Sequence, residues 1–203
     1  VRLIRSDLGC GSQYPSGARR SCSKVSCSVQ PVGGDAPQVG PEFVLTLRGV
    51  RGSTPASGPG TARYGGRTIC LSAAAGDGRT LVVDCGTGMR DLQQELVDGA
   101  DGGHGFDVFL THYHWDHLIG LPFFRPLYDD RNRFTFHGHE WEGMTVEQLV
   151  GGIFRPPWFP ISLVETPADK AYTPLTDGVI QVGALSVRWA PANHPQGVTA
   201  YRI

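Results

Sequence analysis

The stretch Asp107-Val-Phe-Leu-Thr-His-Tyr-His-Trp-Asp-His117 decides the interpretation of this chain, because a predicted strand leads directly into a cluster of metal-binding residue types. Residues 107–110 predict a buried β-strand. Three imidazoles and one carboxylate, which are ligand types that divalent zinc prefers, follow within six residues: His112, His114, Asp116 and His117. In an extended segment, side chains two residues apart point the same way, so His112 and His114 can converge on one ion. We call residues 111–117 the histidine motif.

The spacing of the histidine motif also allows a second ion. Asp116 and His117 come where the chain is expected to turn towards a helix, so they can face an ion beside the first. Protonated histidines crowded this closely would repel one another, and binding of a metal to the neutral rings removes that cost. The alternative is a loop of solvated histidines, against which the preceding apolar strand argues.

Outward from the motif, short apolar segments are separated by turns rich in glycine and proline, which predicts many strands and few helices. Strands are expected at residues 43–47, 68–72, 80–83, 107–110, 134–136, 179–182 and 185–189, with a last one beginning at residue 198. A helix is expected between Gly86 and Gly99, and Thr145 with Gln148 resembles a capping box that opens a shorter one. We therefore expect an α+β layered domain with its site along one sheet edge.

Composition narrows the classes of partner. The 203 residues carry a net charge of −1, so no overall basic field favours nucleic acid, although local patches leave it open as a substrate. The longest apolar runs are far too short for a membrane span, so no membrane partner is expected. The five cysteines include no C-x-x-C pair, and no apolar signal region is visible, which together favour a cytoplasmic location. A homodimer is left open as the assembly.

Residues 1–41 differ from the rest in having almost no hydrophobic periodicity among their serines, glycines, prolines and arginines. We expect a disordered or non-native N-terminal segment there. An organellar transit peptide and sequence read upstream of the true start are the alternatives. The folded domain is expected over residues 42–203.

The pattern His-x-His-x-Asp-His, after an apolar strand and a threonine, resembles the signature of the metallo-β-lactamase superfamily. Asp84, in Val-Val-Asp-Cys-Gly-Thr-Gly, resembles the family's earlier aspartate motif, and His194 before a proline resembles its third metal motif. The loop Arg51-Gly-Ser-Thr-Pro55 with Tyr64-Gly-Gly66 resembles the branch of ribonuclease Z and cyclic-phosphate phosphodiesterases. The resemblance covers about residues 43 to 203.

This resemblance implies a four-layer αβ/βα fold whose second half is largely missing from the chain. It implies that one ion is held by His112, His114 and His194. The other ion would be held by Asp116, His117, a bridging aspartate and a final histidine. The family's last two ligands follow the strand that begins at Val198, so this sequence is expected to be a partial domain with an incomplete second site.

The resemblance further implies a metal-dependent hydrolase that uses a metal-bound hydroxide on small-molecule or nucleotide phosphodiesters. Two Zn²⁺ ions are expected, with Mn²⁺ or Fe²⁺ as alternatives. Asp116 would be both a ligand and the catalytic residue that orients the nucleophile, and Asp84 would support the ligand loop by hydrogen bonding. Two alternatives stay open. One is a thioester or lactam hydrolase on the same site, and the other is a truncated metal-binding fragment without activity.

Three weaker candidates lie outside this set. His137 and His139 share the two-residue spacing, but without further ligands they are expected at a half-exposed strand end. Trp158 and Phe159 could line a substrate wall, although core packing is the simpler interpretation. The loop from Arg51 to Thr61 could offer backbone N–H groups to a phosphate, or it could be a plain surface loop.

Overall fold

A computed structural model describes residues 44–97, 103–176 and 178–203, and the chain forms two β-sheets within these ranges. The larger sheet has six strands, which lie side by side in chain order: β1 (Leu45–Gly49), β2 (Cys70–Ala74), β3 (Arg79–Val83), β4 (Gly105–Phe109), β5 (Arg133–Gly138) and β6 (Asp169–Pro174). The smaller sheet has three strands: β7 (Val179–Val182), β8 (Leu185–Ala192) and β9 (Val198–Arg202).

Helices in the described ranges are short. The α-helices are α1 (Met89–Val97), α2 (Trp115–Leu118) and α3 (Val146–Gly151). Single 3₁₀ turns lie at Pro59–Thr61, Leu121–Phe123, Arg125–Tyr128 and Leu163–Glu165. The expected capping box opens α3, since the Thr145 hydroxyl accepts the Gln148 backbone N–H and the Gln148 side chain accepts the Thr145 N–H. None of the described helices has the length and apolar character needed to cross a membrane.

The direction of the strands in the larger sheet creates the edge on which the candidate residues lie. β1, β2 and β3 are antiparallel neighbours, whereas β3, β4, β5 and β6 pair in parallel. The carboxyl ends of parallel strands meet at the same edge of a sheet. Asp84 follows β3 and the histidine motif follows β4, so both are delivered to this edge.

Two apolar cores cover the two faces of the larger sheet. On one face, β4 and β5 pack against the three helices through fully buried aromatic and aliphatic side chains, among them Phe106, Phe134, Phe136, Met89 and Val150. On the other face, Leu81, Val83 and Phe109 pack against Val182 and Val187 of the smaller sheet. Burying one such side chain contributes about 1.5–3 kcal/mol, so these cores hold helices, larger sheet and smaller sheet together as three layers.

The predicted α+β class is confirmed, and each predicted strand and helix is found within a few residues of its expected position. Strand β6 was not predicted, because Asp-Lys-Ala-Tyr-Thr-Pro has no apolar alternation. It becomes a strand through parallel pairing with β5. The prediction for residues 1–41 and the expected helix end at Gly99 lie outside the described residues. Cys70 and Cys85 are buried free thiols.

Candidate metal centre

Backbone hydrogen bonds bring two distant segments together at the sheet edge. His112 and His114 lie between β4 and α2, and His194 lies in the turn between β8 and β9. The Thr199 N–H at the start of β9 donates to the carbonyl of Thr111, with an N···O distance of 2.8 Å. The smaller sheet is therefore attached directly to the histidine motif, and the turn before β9 carries His194 to the other two histidines.

The three histidines present one ring nitrogen each to a common point. His114 Nδ1 lies 3.0 Å from His112 Nε2 and 3.4 Å from His194 Nε2. One ligand atom from each ring lies within 4.8 Å of the others, and no other such group of three or more potential ligands occurs among the described residues. Nitrogens at 2.0–2.1 Å from a tetrahedral zinc would be about 3.3 Å apart. The spacing and the chemistry of the donors therefore fit a zinc ion held by His112, His114 and His194.

Asp84 connects the motif to the end of β3. Its side chain is 1% exposed, and its Oδ1 accepts the Thr111 N–H at 2.8 Å. Its Oδ2 lies 2.8 Å from the Thr111 hydroxyl oxygen and 2.8 Å from His117 Nδ1. Since a buried carboxylate accepts hydrogen bonds, His117 carries its proton on Nδ1 and leaves Nε2 free to bind a metal.

Thr111 extends the same arrangement to His112. Its hydroxyl oxygen lies 3.1 Å from His112 Nδ1, and the hydroxyl hydrogen is directed to Asp84. His112 Nδ1 can then donate to Thr111, which leaves His112 Nε2 as the free nitrogen. This is the nitrogen that faces His114 and His194, so the buried hydrogen bonds favour the ring form that a metal needs.

Asp116 and His117 lie beside the three-histidine cluster rather than within it. Asp116 Oδ2 is 3.5 Å from His117 Nε2, and the rings of His117 and His112 are 4.0 Å apart between centroids. The Ser53 backbone N–H donates to Asp116 Oδ2 at 2.7 Å. This hydrogen bond attaches the loop from Arg51 to Thr61 to the candidate second metal position. The Ser53 N–H is therefore already engaged by a carboxylate.

The electrostatic surroundings keep the buried ring of His112 neutral. Burial, followed by the nearby His117, His114 and His194 rings, lowers the pKa of His112 to about 4 against the opposing effect of Asp116. The neutral imidazole is the form that binds metal ions, so His112 needs no deprotonation at neutral pH.

The weaker histidine candidates are not part of the cluster. His137 was expected at a half-exposed strand end, and this was wrong. It is only 4% exposed, its Nε2 lies 3.0 Å from Asp107 Oδ1, and its ring stacks on Phe109. His139 is half-buried with its ring against Tyr113. The stacking on Phe109 and the contact of Nε2 with Asp107 place the His137 ring within the fold and away from the cluster.

The two aromatic candidates have different surroundings. Phe159 packs against Phe154 and Phe123 at the border of the main core, as the packing interpretation expected. Trp158 is 65% exposed, and the Arg155 guanidinium lies 5.0 Å above its ring. Neither residue is among the contacts of the three-histidine cluster.

The roles of three residues around the cluster were missed from the sequence. Thr111 belongs to the histidine motif, but no role was predicted for it, and Ser53 was only one residue of a glycine-rich loop. Gln196 was not singled out, yet its Oε1 lies 3.1 Å from His114 Nε2. No spacing in the sequence predicts contacts that span 63 residues, as for Ser53, or 82 residues, as for Gln196.

The chain also matches a known protein family. The family model described as "Beta-lactamase superfamily domain" matches residues 79–202, which is more than half of the chain. The chain belongs to this superfamily, as the resemblance of the histidine motif predicted.

Among curated proteins, the chain is similar to ribonuclease Z from two organisms. It is 32% identical over 100 residues to the protein from Haloferax volcanii, which covers 47% of this chain and 31% of that protein. It is 27% identical over 157 residues to the protein from Bradyrhizobium diazoefficiens, which covers 75% of this chain and 46% of that protein. The chain therefore spans less than half the length of these relatives.

Among solved structures, a new diphosphatase from the PhnP family superposes with a TM-score of 0.53 at 18% identity. The match covers 79% of this chain and 62% of that one. At this level of identity, the likeness supports the fold that was predicted from the sequence.

Proposed function

We propose that this protein is a metal-dependent hydrolase of phosphodiesters. The observation that carries the proposal is the convergence of one nitrogen each from His112, His114 and His194 at the carboxyl edge of the larger sheet. Three neutral imidazoles form a donor set suited to zinc. The similarity to two proteins named ribonuclease Z supports a phosphodiester as the substrate, either a small molecule, a nucleotide or a nucleic acid.

In this proposal, His112, His114 and His194 hold one zinc ion, while Asp116 and His117 contribute to a second ion, for which Mn²⁺ or Fe²⁺ are alternatives. A zinc ion bound there would lower the pKa of a coordinated water and would stabilise negative charge that develops on the substrate.

The side chains around the ions have separate tasks. Asp84 and Thr111 hold the His112 and His117 rings in the form whose Nε2 is free. The Asp116 carboxylate orients the attacking water, and the Ser53 N–H at 2.7 Å fixes the position of that carboxylate.

The cytoplasmic location and the homodimer stay predictions.

Replacement of one ligand tests the proposal directly. We expect His114→Ala to lose turnover of bis-p-nitrophenyl phosphate and of a 2′,3′-cyclic nucleotide by at least about 100-fold, because two histidines hold zinc far more weakly than three. His139→Ala is the matched control, since that histidine lies outside the cluster. Turnover rates and the metal content of purified protein are the measurements.

Two results would contradict the proposal. The first is a His114→Ala variant that keeps its metal and a near-normal rate, which would reject the ligand assignment. The second is clear turnover of a glutathione thioester or a lactam by the unaltered protein with neither phosphodiester hydrolysed, which would reject the substrate class.

A further inference from the structure

We propose that Gln196 is a positioning residue of the three-histidine centre, whose side-chain carbonyl determines which ring nitrogen of His114 faces the metal. This inference rests on the proposed metal centre and adds to it a residue that lies on the smaller sheet's side of the site.

The hydrogen bond between the two side chains fixes the proton of the His114 ring. Gln196 Oε1 lies 3.1 Å from His114 Nε2, and a carbonyl oxygen can only accept. The proton is therefore on Nε2, and Nδ1 keeps its lone pair. Nδ1 is also the His114 nitrogen that lies 3.0 Å from His112 Nε2 and 3.4 Å from His194 Nε2.

The opposite orientation of the Gln196 amide would prevent His114 from binding a metal through Nδ1. If the Gln196 amide nitrogen faced His114 Nε2, that nitrogen would have to accept, and the ring proton would move to Nδ1. The N–H would then point into the cluster where a metal would bind. The contact and the cluster geometry thus require the same orientation of Gln196.

Gln196 gives His114 a hydrogen-bond partner, which Asp84 and Thr111 give only to His112 and His117. His112 is held through Thr111, and His117 is held by Asp84, both from the larger sheet. His114 is exposed, and its Nε2 meets Gln196 from the turn that also carries His194. A ring at the exposed side of the centre therefore obtains the kind of partner that the buried rings obtain from Asp84 and Thr111.

The backbone of Gln196 supports a role for its side chain. Its φ is +60°, and it is followed by Gly197 at φ +81°, so the turn needs two successive residues in the left-handed region. Glycine adopts this region without the clash that a Cβ introduces. A glutamine here is unfavourable for the turn itself, and strained residues of this kind cluster at functional sites.

A comparison of the unaltered protein with two variants of Gln196 separates this role from a structural one. Gln196→Gly should raise the melting temperature or leave it unchanged, because the backbone strain is relieved, while zinc affinity falls about 10-fold with the loss of the acceptor. Gln196→Glu keeps both the strain and the acceptor, so it should bind zinc at least as tightly as the unaltered protein. Zinc affinity is measured by competition with a chromophoric chelator, and melting by calorimetry.

The outcomes distinguish this inference from the proposed centre. If the unaltered protein and His114→Ala bind zinc equally poorly, the centre is rejected and the role of Gln196 with it. If His114→Ala weakens zinc binding but Gln196→Gly binds like the unaltered protein, only the role of Gln196 is overturned. Equal losses in Gln196→Gly and Gln196→Glu would also overturn it, because the carboxylate acceptor would not have restored binding.

Discussion

At the scale of single residues, the Asp84 carboxylate organises more of the candidate site than any ligand does. Both of its oxygens are used, and they reach Thr111 and His117 from the end of a different strand. The carboxylate is buried, so these bonds are shielded from water and hold the rings in a defined orientation.

Asp84→Asn should therefore weaken zinc binding about 10- to 100-fold, because the amide group offers an N–H where His117 and Thr111 need an acceptor. Asp107→Asn is the matched control, since Asp107 is also buried and also bonds to a histidine, His137, away from the cluster. That control should lose about 1–3 kcal/mol of stability and keep its zinc affinity. Equal zinc affinities for both variants would contradict the role of Asp84.

The convergence of the candidate ligands could in part be predicted from the sequence, because residue type and local spacing carry the information. The two-residue spacing of His112 and His114 places both rings on one side of an extended segment, whatever the rest of the fold does. Ser53 and Gln196 act through contacts made only after the sheets have packed. The role of Ser53 depends on its backbone N–H, and that of Gln196 depends on a left-handed turn. Neither residue type predicts these features.

At the scale of elements, the segment between β3 and α1 packs against the segment that contains α2. The Cys85 N–H donates to the His117 carbonyl, and the Gly120 N–H donates to the Cys85 carbonyl. Gly86 lies so close that a Cβ there would overlap the Asp116 backbone oxygen and Thr68 Oγ1. The positions of Asp116 and His117 therefore depend on the absence of a side chain at Gly86.

Gly86→Ala should lower the free energy of unfolding by about 1–3 kcal/mol, because the added methyl group forces two packed segments apart. It should also weaken zinc binding, since the segment that moves carries Asp116 and His117. Gly60→Ala, in the loop from Arg51 to Thr61, is the control, because open space surrounds that position and its φ is not positive. Denaturant unfolding and zinc competition measure both effects, and an unaffected Gly86→Ala would contradict the packing argument.

Strands that contain short apolar runs, such as Leu-Val-Val in β3 and Val-Phe in β4, could be predicted because burial on both faces selects that pattern. β6 could not, because its pairing with β5 supplies what its own residues lack. The four-residue helix α2 is equally dependent on its surroundings, since one turn is too short to form alone.

At the scale of the whole molecule, the candidate centre joins the two sheets. His112 and His114 follow β4 of the larger sheet, whereas His194 belongs to the turn between two strands of the smaller one. The sequence predicted that these residues would share an ion through the family resemblance. The packing that brings them together, through Phe109 and Val187, is a long-range arrangement that local patterns do not specify.

A ligand that binds only the folded state stabilises it, by about 2.7 kcal/mol when its free concentration is 100 times the dissociation constant. Zinc at that excess should therefore raise the melting temperature by about 5–10 °C over protein treated with a chelator. His114→Ala should show little of this increase. An equal increase in that variant would mean that zinc stabilises the protein through some other site.

The distance along the chain between the ligands also sets an order of events during synthesis. His114 precedes His194 by 80 residues. At about 5–20 residues per second, the nascent chain carries the first two ligands for about 4–16 s before the third leaves the ribosome. Throughout that interval the emerging protein lacks the third histidine of the proposed three-histidine centre. If the proposed centre holds zinc, the three-histidine site is complete only when the hairpin of β8 and β9 has docked, and zinc uptake would then report completed assembly.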